Sequence, residues 1–238
     1  MLHLESLHKS FDSTAVFQGV SLTLARGEFV ALLGESGVGK STLLNCIAGL
    51  DEADGGAVRI NGTALSALDD DARARLRREQ LGFVFQAFHV LPHLTVAENV
   101  GLPLRLLRRL DEARVARVLE AVGLGGLGAR LPAQLSGGQL QRVAIARAVV
   151  HDPGLILADE PTGNLDPGTA AKVLAVLREQ VRSAGAACLL VTHSAAAAAA
   201  ADRVLRLTPR GIEGVADSAG AARRAGAEDA QDAEGTAR

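Results

Sequence analysis

A glycine-rich segment near the N-terminus has the residue types and spacing of a phosphate-binding loop. Residues 34–41 are GESGVGKS, and this G-x-x-x-x-G-K-[ST] spacing lets backbone N–H groups fold around phosphate oxygens. Lys40 is placed to reach the β- and γ-phosphates, and the Ser41 hydroxyl is placed to bind Mg²⁺. The loop follows the apolar run FVALLG and precedes an expected helix, whose N-terminus adds positive potential. The expected nucleotide-binding residues are Gly34, Glu35, Ser36, Gly37, Val38, Gly39, Lys40, Ser41 and Thr42.

An acidic pair closes a second apolar run, LILAD at 155–159. At the end of a strand, Asp159 could hold Mg²⁺, and Glu160 could orient or deprotonate an attacking water. Pro161 follows, so the pair could instead be an ordinary helix cap. The phosphate-binding loop in the same chain favours the catalytic interpretation.

A third cluster, LSGGQ, occupies residues 135–139 ahead of the helix-like segment QRVAIARAVV. Ser136 suits a helix N-cap, and Gly137 and Gly138 permit another group to approach the helix closely. The residue types indicate either a second anion site at a helix N-terminus or a flexible loop before a helix. Both interpretations stay open on this evidence alone.

Three continuous apolar runs are expected to position these clusters. Residues 29–34, 155–159 and 187–193 have the pattern of parallel strands that helices cover on both faces. Each run ends in chemically active residues, the last in Thr192-His193. The carboxyl ends of parallel strands share one edge of a sheet, so the sequence predicts an α/β fold with a single site at that edge.

The remaining segments predict two kinds of structure. The first 30 residues alternate between apolar and polar, with a turn at Arg26-Gly27, and a hairpin is expected over residues 57–65 around Asn61-Gly62. A mostly helical stretch is expected from about 88 to 150. Within it one helix should start at Asp111-Glu112 and stop at Gly123, and the alanine run 195–201 should be a further helix.

The composition narrows the functional classes. A net charge of −2 argues against a protein that coats nucleic acid, and the basic cluster Arg73, Arg75, Arg77 and Arg78 is expected on the solvated face of a helix. Cys46 and Cys188 are expected to be buried free thiols. No signal peptide precedes the first strand, and no apolar run approaches the roughly 20 residues of a membrane span, so a cytoplasmic protein is expected. Residues 215–238 lack Leu, Ile, Phe and Met and are expected to form a disordered tail.

LSGGQ followed by LADEPTGNLD resembles the signature of ABC-type ATPases, and the motifs appear in the family order over roughly residues 1–214. The resemblance implies a P-loop NTPase (RecA-like) core with an N-terminal antiparallel β subdomain and an α-helical subdomain inserted at about 88–150. It implies hydrolysis of ATP with Mg²⁺ held by Ser41, Gln86 and Asp159. By the same resemblance Glu160 is the catalytic carboxylate, Gln86 fills the Q-loop, His193 is the switch histidine that contacts the γ-phosphate, and Phe11 stacks on adenine. Asn164, Leu165 and Asp166 match the D-loop.

The resemblance also implies two partners. A second copy of the chain would join head to tail, so that the signature residues of one copy face the γ-phosphate held by the other. These residues are Leu135, Ser136, Gly137, Gly138 and Gln139. A separate transmembrane permease would hold the chain at the inner face of the cell membrane.

Within the family, FQAFHVLPHLTVAENVGLPL and ADEPTGNLD resemble the lipoprotein-release and macrolide-export branch, which favours export or extraction. An ABC ATPase that regulates cell division without transport stays as the alternative. Phe11 stands where tyrosine is more frequent, Leu140 where glutamine is usual and Ser194 where aspartate is usual. The ABC ATPases of DNA repair are disfavoured because the chain has no coiled-coil or zinc insertion. Those that act on the ribosome are disfavoured because the chain has one cassette and not two. A kinase or GTPase is disfavoured by LSGGQ and by the lack of an Asn-Lys-x-Asp sequence.

Overall fold

The antiparallel part of the molecule forms a four-stranded sheet. The computed structural model describes residues 1–12 and 14–214. The strands are β1 (Leu2–Phe11), β2 (Thr14–Leu24), β4 (Gly55–Ile60) and β5 (Thr63–Ala64), in the order β2-β1-β4-β5. Asn61 and Gly62 take positive φ angles of 50° and 81° between β4 and β5, which confirms the predicted hairpin turn.

A six-stranded sheet forms the centre of the molecule. Its strands are β3 (Phe29–Leu33), β6 (Leu81–Phe85), β7 (Leu155–Asp159), β8 (Ala187–Thr192), β9 (Arg203–Thr208) and β10 (Gly211–Gly214), in the order β10-β9-β3-β8-β7-β6. β10 pairs antiparallel at one edge, and the other five strands are parallel. The three predicted apolar strands are therefore central neighbours, and their carboxyl ends lie along one edge.

Seven α-helices surround the sheets within the described residues. They are α1 (Lys40–Ala48), α2 (Asp70–Gln80), α3 (Val96–Leu106), α4 (Glu112–Ala121), α5 (Gly137–Val149), α6 (Pro167–Ala184) and α7 (Ala195–Ala198). The predicted boundaries of α4 are confirmed. Asp111 caps it by accepting a hydrogen bond from the Arg114 N–H at 2.9 Å, and Gly123 follows it with a φ of 70°.

The central sheet is buried on both faces, as its continuous apolar strands predict. Alternate side chains of the same strands enter different hydrophobic clusters because successive residues point to opposite faces. Phe29, Ala31, Ile156, Ala158, Cys188 and Leu190 pack with the cluster that includes α3 to α6. Val30, Leu32, Leu155, Leu157, Leu189 and Val191 pack with α1 and the antiparallel sheet.

Several sequence expectations need correction. Residues 88–95 are not helical, and the first helix of the predicted helical stretch begins at Val96, where Thr95 and Glu98 form a capping box. The alanine run is helical only over Ala195–Ala198. In the basic cluster, only Arg75 and Arg78 are exposed. Arg73 and Arg77 instead turn toward the body and bond to the carbonyls of Leu65 and Gly49.

Two further expectations concern the cysteines and the chain end. Cys46 and Cys188 are buried free thiols, as predicted. Burial raises the pKa of Cys46 to about 11. The expected tail at 215–238 lies outside the described residues. Among the helices that are described, none combines the length and the apolarity that crossing a bilayer requires.

Candidate nucleotide-binding site

The glycine-rich loop connects the end of β3 to the start of α1 and needs glycine at particular positions. Gly39 caps α1 with a φ of 94°, and a Cβ at this residue would lie 2.4 Å from Val16 Cγ1. At Gly34 a Cβ would lie 2.8 Å from Val38 Cγ1. Any larger residue would therefore displace the loop, whose N–H groups lie at the positive end of a helix.

Lys40 is almost buried and points back into the loop that precedes it. Its Nζ donates hydrogen bonds of 2.9 Å to the carbonyls of Gly34 and Glu35 and lies 3.8 Å from Glu160 Oε1. The ammonium is thus held by carbonyls at the mouth of the loop, where phosphate oxygens would be stronger partners. This arrangement suits a cation that exchanges intramolecular acceptors for those of a triphosphate.

The Ser41 hydroxyl and Asp159 form the candidate metal position. Asp159 ends β7 and shares a hydrogen bond with Ser41, the second residue of α1. Burial raises the pKa of Asp159, and the Ser41 hydrogen bond and the Lys40 charge oppose that rise. Hydroxyl, carboxylate and the amide oxygen of Gln86 are the oxygen donors that Mg²⁺ prefers, so the donor set fits the predicted ion. In the described part of the chain, no group of three or more His, Cys, Asp or Glu side chains is arranged to hold a metal ion.

Glu160 is held in an unusual backbone conformation. Its φ is 44°, a left-handed angle that costs a residue with a side chain on the order of 1 kcal/mol. Two backbone hydrogen bonds maintain it: the Glu160 N–H donates to Val191 O at 3.0 Å, and the Gly163 N–H donates to Glu160 O at 3.1 Å. Strain at this residue aims the carboxylate across the ends of the strands.

The two carboxylate oxygens of Glu160 have separate partners on β8 and just after it. The Thr192 hydroxyl donates to Oε2 at 2.9 Å, and His193 Nδ1 donates to Oε1 at 2.8 Å. His193 is exposed, with 65% of its side-chain area accessible, whereas the Glu160 side chain is only 12% accessible. A mostly buried carboxylate that a hydroxyl and an imidazole orient can act as a base toward a water molecule.

These groups meet in one cavity of 580 Å³ at the carboxyl edge of the central sheet. The cavity also contains Phe11, the half-exposed last residue of β1, and Gln86, which follows β6. The predicted residues that line it are Phe11, Ser36, Gly37, Gly39, Lys40, Ser41, Thr42, Gln86, Asp159, Glu160 and His193. Residues from five separated segments of the sequence thus converge on one site.

The LSGGQ segment has a different environment. Ser136 caps α5 and forms a capping box with Gln139, in which the Ser136 N–H donates to Gln139 Oε1 at 2.9 Å. Ser136 and Gly137 are exposed, whereas Gly138 is buried against α6, with its hypothetical Cβ 2.4 Å from Thr169 Cγ2. Leu165 and Leu135 both pack against the hydrophobic core, and Leu165 Cδ2 lies 3.5 Å from the position of a Cβ at Gly137. Asp166 caps α6. The nearest neighbours of the two glycines are therefore outside the phosphate loop.

Some residues of the site carry no strong sequence signal. The sequence marks Thr192 only as part of a polar strand end, yet its hydroxyl donates a hydrogen bond to one carboxylate oxygen of Glu160. Val16 lines the cavity and closes against Gly39. Gln141 is fully buried and bonds through Nε2 to the Phe85 carbonyl at 3.4 Å, directly before Gln86. A polar residue inside the apolar pattern of α5 was the available signal for Gln141.

A parallel sheet with a lysine-containing glycine loop and an acidic pair at its carboxyl edge defines a P-loop NTPase. The family description "ABC transporter" matches residues 17–163. The chain belongs to the ABC transporter family. It is an ATP-binding and ATP-hydrolysing cassette that couples hydrolysis to transport.

Named relatives are similar over most of the chain. The lipoprotein-releasing system ATP-binding protein LolD of Anaeromyxobacter dehalogenans is 51% identical over 218 residues, which cover 90% of both proteins. The macrolide export ATP-binding/permease protein MacB of Shigella flexneri is 44% identical over 87% of this chain but only 33% of its own length. The dimeric structure of MJ0796, a bacterial ABC transporter cassette, superposes with a TM-score of 0.80 at 38% identity, covering 90% of this chain and 97% of that one. The same cassette bound to ADP and Pi gives a TM-score of 0.81 at 36% identity, covering 91% and 100%.

Proposed function

We propose that the chain energises a separate membrane permease. The permease would export a lipoprotein or a hydrophobic compound, or extract it from the membrane. The observation that carries the proposal is the similarity to a lipoprotein-releasing ATP-binding protein over 90% of both chains. The macrolide-export relatives support the same general direction of transport, outward from the membrane. The permease would place the chain at the inner face of the cell membrane.

The cavity residues divide the work of hydrolysis among them. Lys40 and the loop N–H groups would bind the β- and γ-phosphates, Phe11 would stack on the adenine, and Ser41, Gln86 and Asp159 would hold Mg²⁺. The ion, when bound, would neutralise charge that develops on the phosphates. Glu160 would accept the proton of the attacking water, and His193 would contact the γ-phosphate after turning from its hydrogen bond with Glu160.

A head-to-tail dimer would complete the site. The capping box already occupies the Ser136 and Gln139 N–H groups. Ser136 and Gly137 are nevertheless exposed, so the positive end of α5 is accessible to an anion outside its own subunit. The dimeric form of the similar cassette MJ0796 supports this arrangement. Asn164, Leu165 and Asp166 are proposed to take part in the same contact. ATP would then hold the two copies together, and hydrolysis would release them.

Mixing two inactive variants tests the shared site. Gly137→Asp places a carboxylate at the N-terminus of α5, and Lys40→Ala damages the phosphate loop. In a mixed dimer one site carries both lesions and the other carries neither, so two inactive proteins should regain ATPase activity on mixing. Loss of ATP binding by monomeric Gly137→Asp would contradict the trans arrangement, because the signature would then lie beside its own phosphate loop.

A groove next to Gln86 is proposed as the permease contact. It has a volume of 350 Å³, is mostly apolar, and lies between β6, α3 and α5. Phe83 and Phe85 stack in it with ring centroids 5.2 Å apart, and Leu106 at its rim is 57% exposed. Gln86 directly follows Phe85, which lines the groove. Movement of a permease segment bound in the groove would therefore be transmitted through Phe85 to Gln86 at the proposed metal site.

Leu106→Asp tests this contact against a matched control. Leu50 is 56% exposed and follows α1, outside the groove, so Leu50→Asp makes the same chemical change elsewhere. We expect Leu106→Asp to lose copurification with the permease while ATP hydrolysis by the isolated chain is unchanged, and Leu50→Asp to retain both. Equal copurification of the two variants would exclude the groove.

Identification of the copurifying membrane protein distinguishes a transporter from an ABC ATPase that regulates cell division. A transporter requires that permease-containing vesicles release cargo in an ATP-dependent way. ATP hydrolysis stimulated by a membrane partner, with no cargo released from vesicles that contain both proteins and a loaded lipoprotein, would favour regulation without transport.

A further inference from the structure

Phe11 exposes an aromatic ring to the nucleotide cavity at the end of a strand. The residue is 50% exposed, and it has no hydroxyl that could anchor its ring through a hydrogen bond. A half-exposed phenyl ring must be held in one plane if a flat base is to stack on it without an entropic cost. The neighbour that can do this is Lys9, two residues earlier on the same face of β1.

Lys9 places its ammonium 4.8 Å from the centroid of the Phe11 ring, within the range of a cation–π interaction. The residue is only 8% exposed, which is unusual for a lysine. Its Nζ donates to Asp51 Oδ1 at 2.9 Å and to the Glu52 carbonyl at 2.6 Å, and Asp54 Oδ1 lies 3.9 Å away. The hydrogen bond and the charge of Asp51 raise the pKa of Lys9, so the group stays a cation.

The acidic segment that holds Lys9 also fixes the backbone of β1. Asp54 accepts a 2.7 Å hydrogen bond from the Ser10 N–H through Oδ2, and its own N–H donates to His8 O at 2.9 Å. Residues 51–54 follow the C-terminus of α1, and the N-terminus of α1 begins at Lys40 in the phosphate loop. The Phe11 ring and the phosphate loop are therefore tied to opposite ends of the same helix.

We propose that Lys9 is a positioning residue for ATP, which holds the plane of the Phe11 ring from one face and leaves the other face to the base. The proposal rests on the proposed stacking role of Phe11. It assigns Lys9 to recognition of the base and not of the triphosphate, although Lys9 touches neither. If Lys9 had a purely structural role, its substitution would weaken binding of the base and binding of the triphosphate equally.

The test compares binding of ATP with binding of inorganic tripolyphosphate, which has phosphates but no base. Lys9→Met should weaken ATP binding and raise its KM about three- to tenfold, with tripolyphosphate affinity and kcat at saturating ATP unchanged. Phe11→Leu should weaken ATP about tenfold or more. In the Phe11→Leu background, Lys9→Met should have no further effect, because the ring through which it acts is gone.

Two further variants guard against effects on folding. Lys172→Met removes an exposed lysine from α6 and should bind both probes as wild type does. Asp51→Asn keeps the Lys9 cation but weakens its anchor, so it should produce a smaller loss of ATP affinity in the same direction. This variant decides the question if Lys9→Met does not fold.

The outcomes are distinguishable. Unchanged ATP affinity in Phe11→Leu would refute the stacking assignment itself. A loss in Phe11→Leu without a loss in Lys9→Met and Asp51→Asn would refute only the role of Lys9. Equal weakening of ATP and tripolyphosphate by Lys9→Met, or an undiminished effect in the Phe11→Leu background, would also overturn the proposal.

Discussion

Glu160→Gln changes one oxygen of the proposed base to an amide nitrogen and leaves its surroundings in place. The glutamine oxygen can still accept the hydrogen bond from Thr192, and His193 can accept from the new N–H₂ group by reversing its tautomer. The variant loses the carboxylate 3.8 Å from Lys40 and with it the ability to take a proton. Loss of general-base catalysis should lower kcat by about 10²- to 10⁴-fold, equivalent to about 2.7 to 5.4 kcal/mol in the activation free energy.

The affinity of Glu160→Gln for ATP should not fall with kcat. The carboxylate of Glu160 repels a triphosphate bound beside Lys40, so removing its charge should leave ATP affinity equal or higher. We expect the variant to elute as an ATP-dependent dimer from a sizing column, whereas wild type hydrolyses its ATP and elutes mainly as a monomer.

The assays are phosphate release for kcat and calorimetry for ATP binding. Glu179→Gln is the matched control, because it removes the same charge from α6. Among the described residues, the Glu179 carboxylate bonds only to Arg182 and Ser183. Turnover by Glu160→Gln within about threefold of wild type would refute the assignment of the base. Loss of ATP binding in this variant would show that Glu160 holds the phosphate loop together and does not act on water.

Three further predictions concern the loop, the metal position and the signature helix. Lys40→Ala removes the cation of the phosphate loop and should abolish ATP binding. Wild type should gain about 2.7 kcal/mol of stability from ATP at 100 times its Kd, and the variant should gain none. An equal thermal shift with ATP in both proteins would contradict the proposed pocket. Burial raises the pKa of Asp159, so its ionised form opposes folding at neutral pH. Asp159→Asn should therefore have a higher Tm than wild type at pH 7, with the difference vanishing as the pH falls through the ordinary aspartate range, and should lose Mg²⁺-dependent ATPase activity; a lower Tm at pH 7 would contradict this. Gly138→Ala would place a Cβ 2.4 Å from Thr169 Cγ2 and should destabilise the fold by about 1 to 3 kcal/mol, measured by denaturant unfolding, and Thr169→Ser should restore at least half of it.

The central strands were predictable because each is apolar on both faces and ends in polar residues. β3, β7 and β8 have this pattern, and helices do cover both sides of the sheet. β9 and β10 were not predicted, because strands near the edge of a sheet bury only alternate residues and Arg203 and Arg206 interrupt the apolar pattern. β6 has five residues including Gly82, which is too short for its pattern to separate a strand from a helix.

Residues 88–95 form a loop, although the sequence predicts that the helical stretch begins at about residue 88. Pro92 and the Thr95–Glu98 pair mark the start of a helix at Val96, but the apolar residues before them resemble a continuation of helical spacing. The buried side chain of Asn99 holds this segment in a loop by bonding to Leu91 N and O and to Leu94 O. A side chain that satisfies backbone groups eight residues away cannot be recognised from periodicity.

The residues of the site were predicted by motif, whereas their mutual orientation depends on tertiary contacts. The left-handed backbone of Glu160 depends on Val191 O in the neighbouring strand, and the direction of its carboxylate depends on Thr192 and His193. These contacts join residues more than 30 positions apart in sequence, since β7 and β8 are separated by all of α6. No local pattern contains this information.

The hydrogen bonds between Gln86 and Asn164 have a consequence for how the cassette behaves when it has no cargo. Gln86 Nε2 donates to Asn164 Oδ1 and Asn164 Nδ2 donates to Gln86 O, each at 3.2 Å. Gly163 lets the amide lie against the chain, because a Cβ there would be 2.8 Å from Gln86 Nε2. Two hydrogen bonds therefore join the Gln86 loop to the loop proposed for the dimer contact, and we expect the two loops to move together. Such a linkage would lower the rate of ATP hydrolysis by a transporter that has no cargo. A second cassette could not close on the nucleotide until the membrane subunit had also moved.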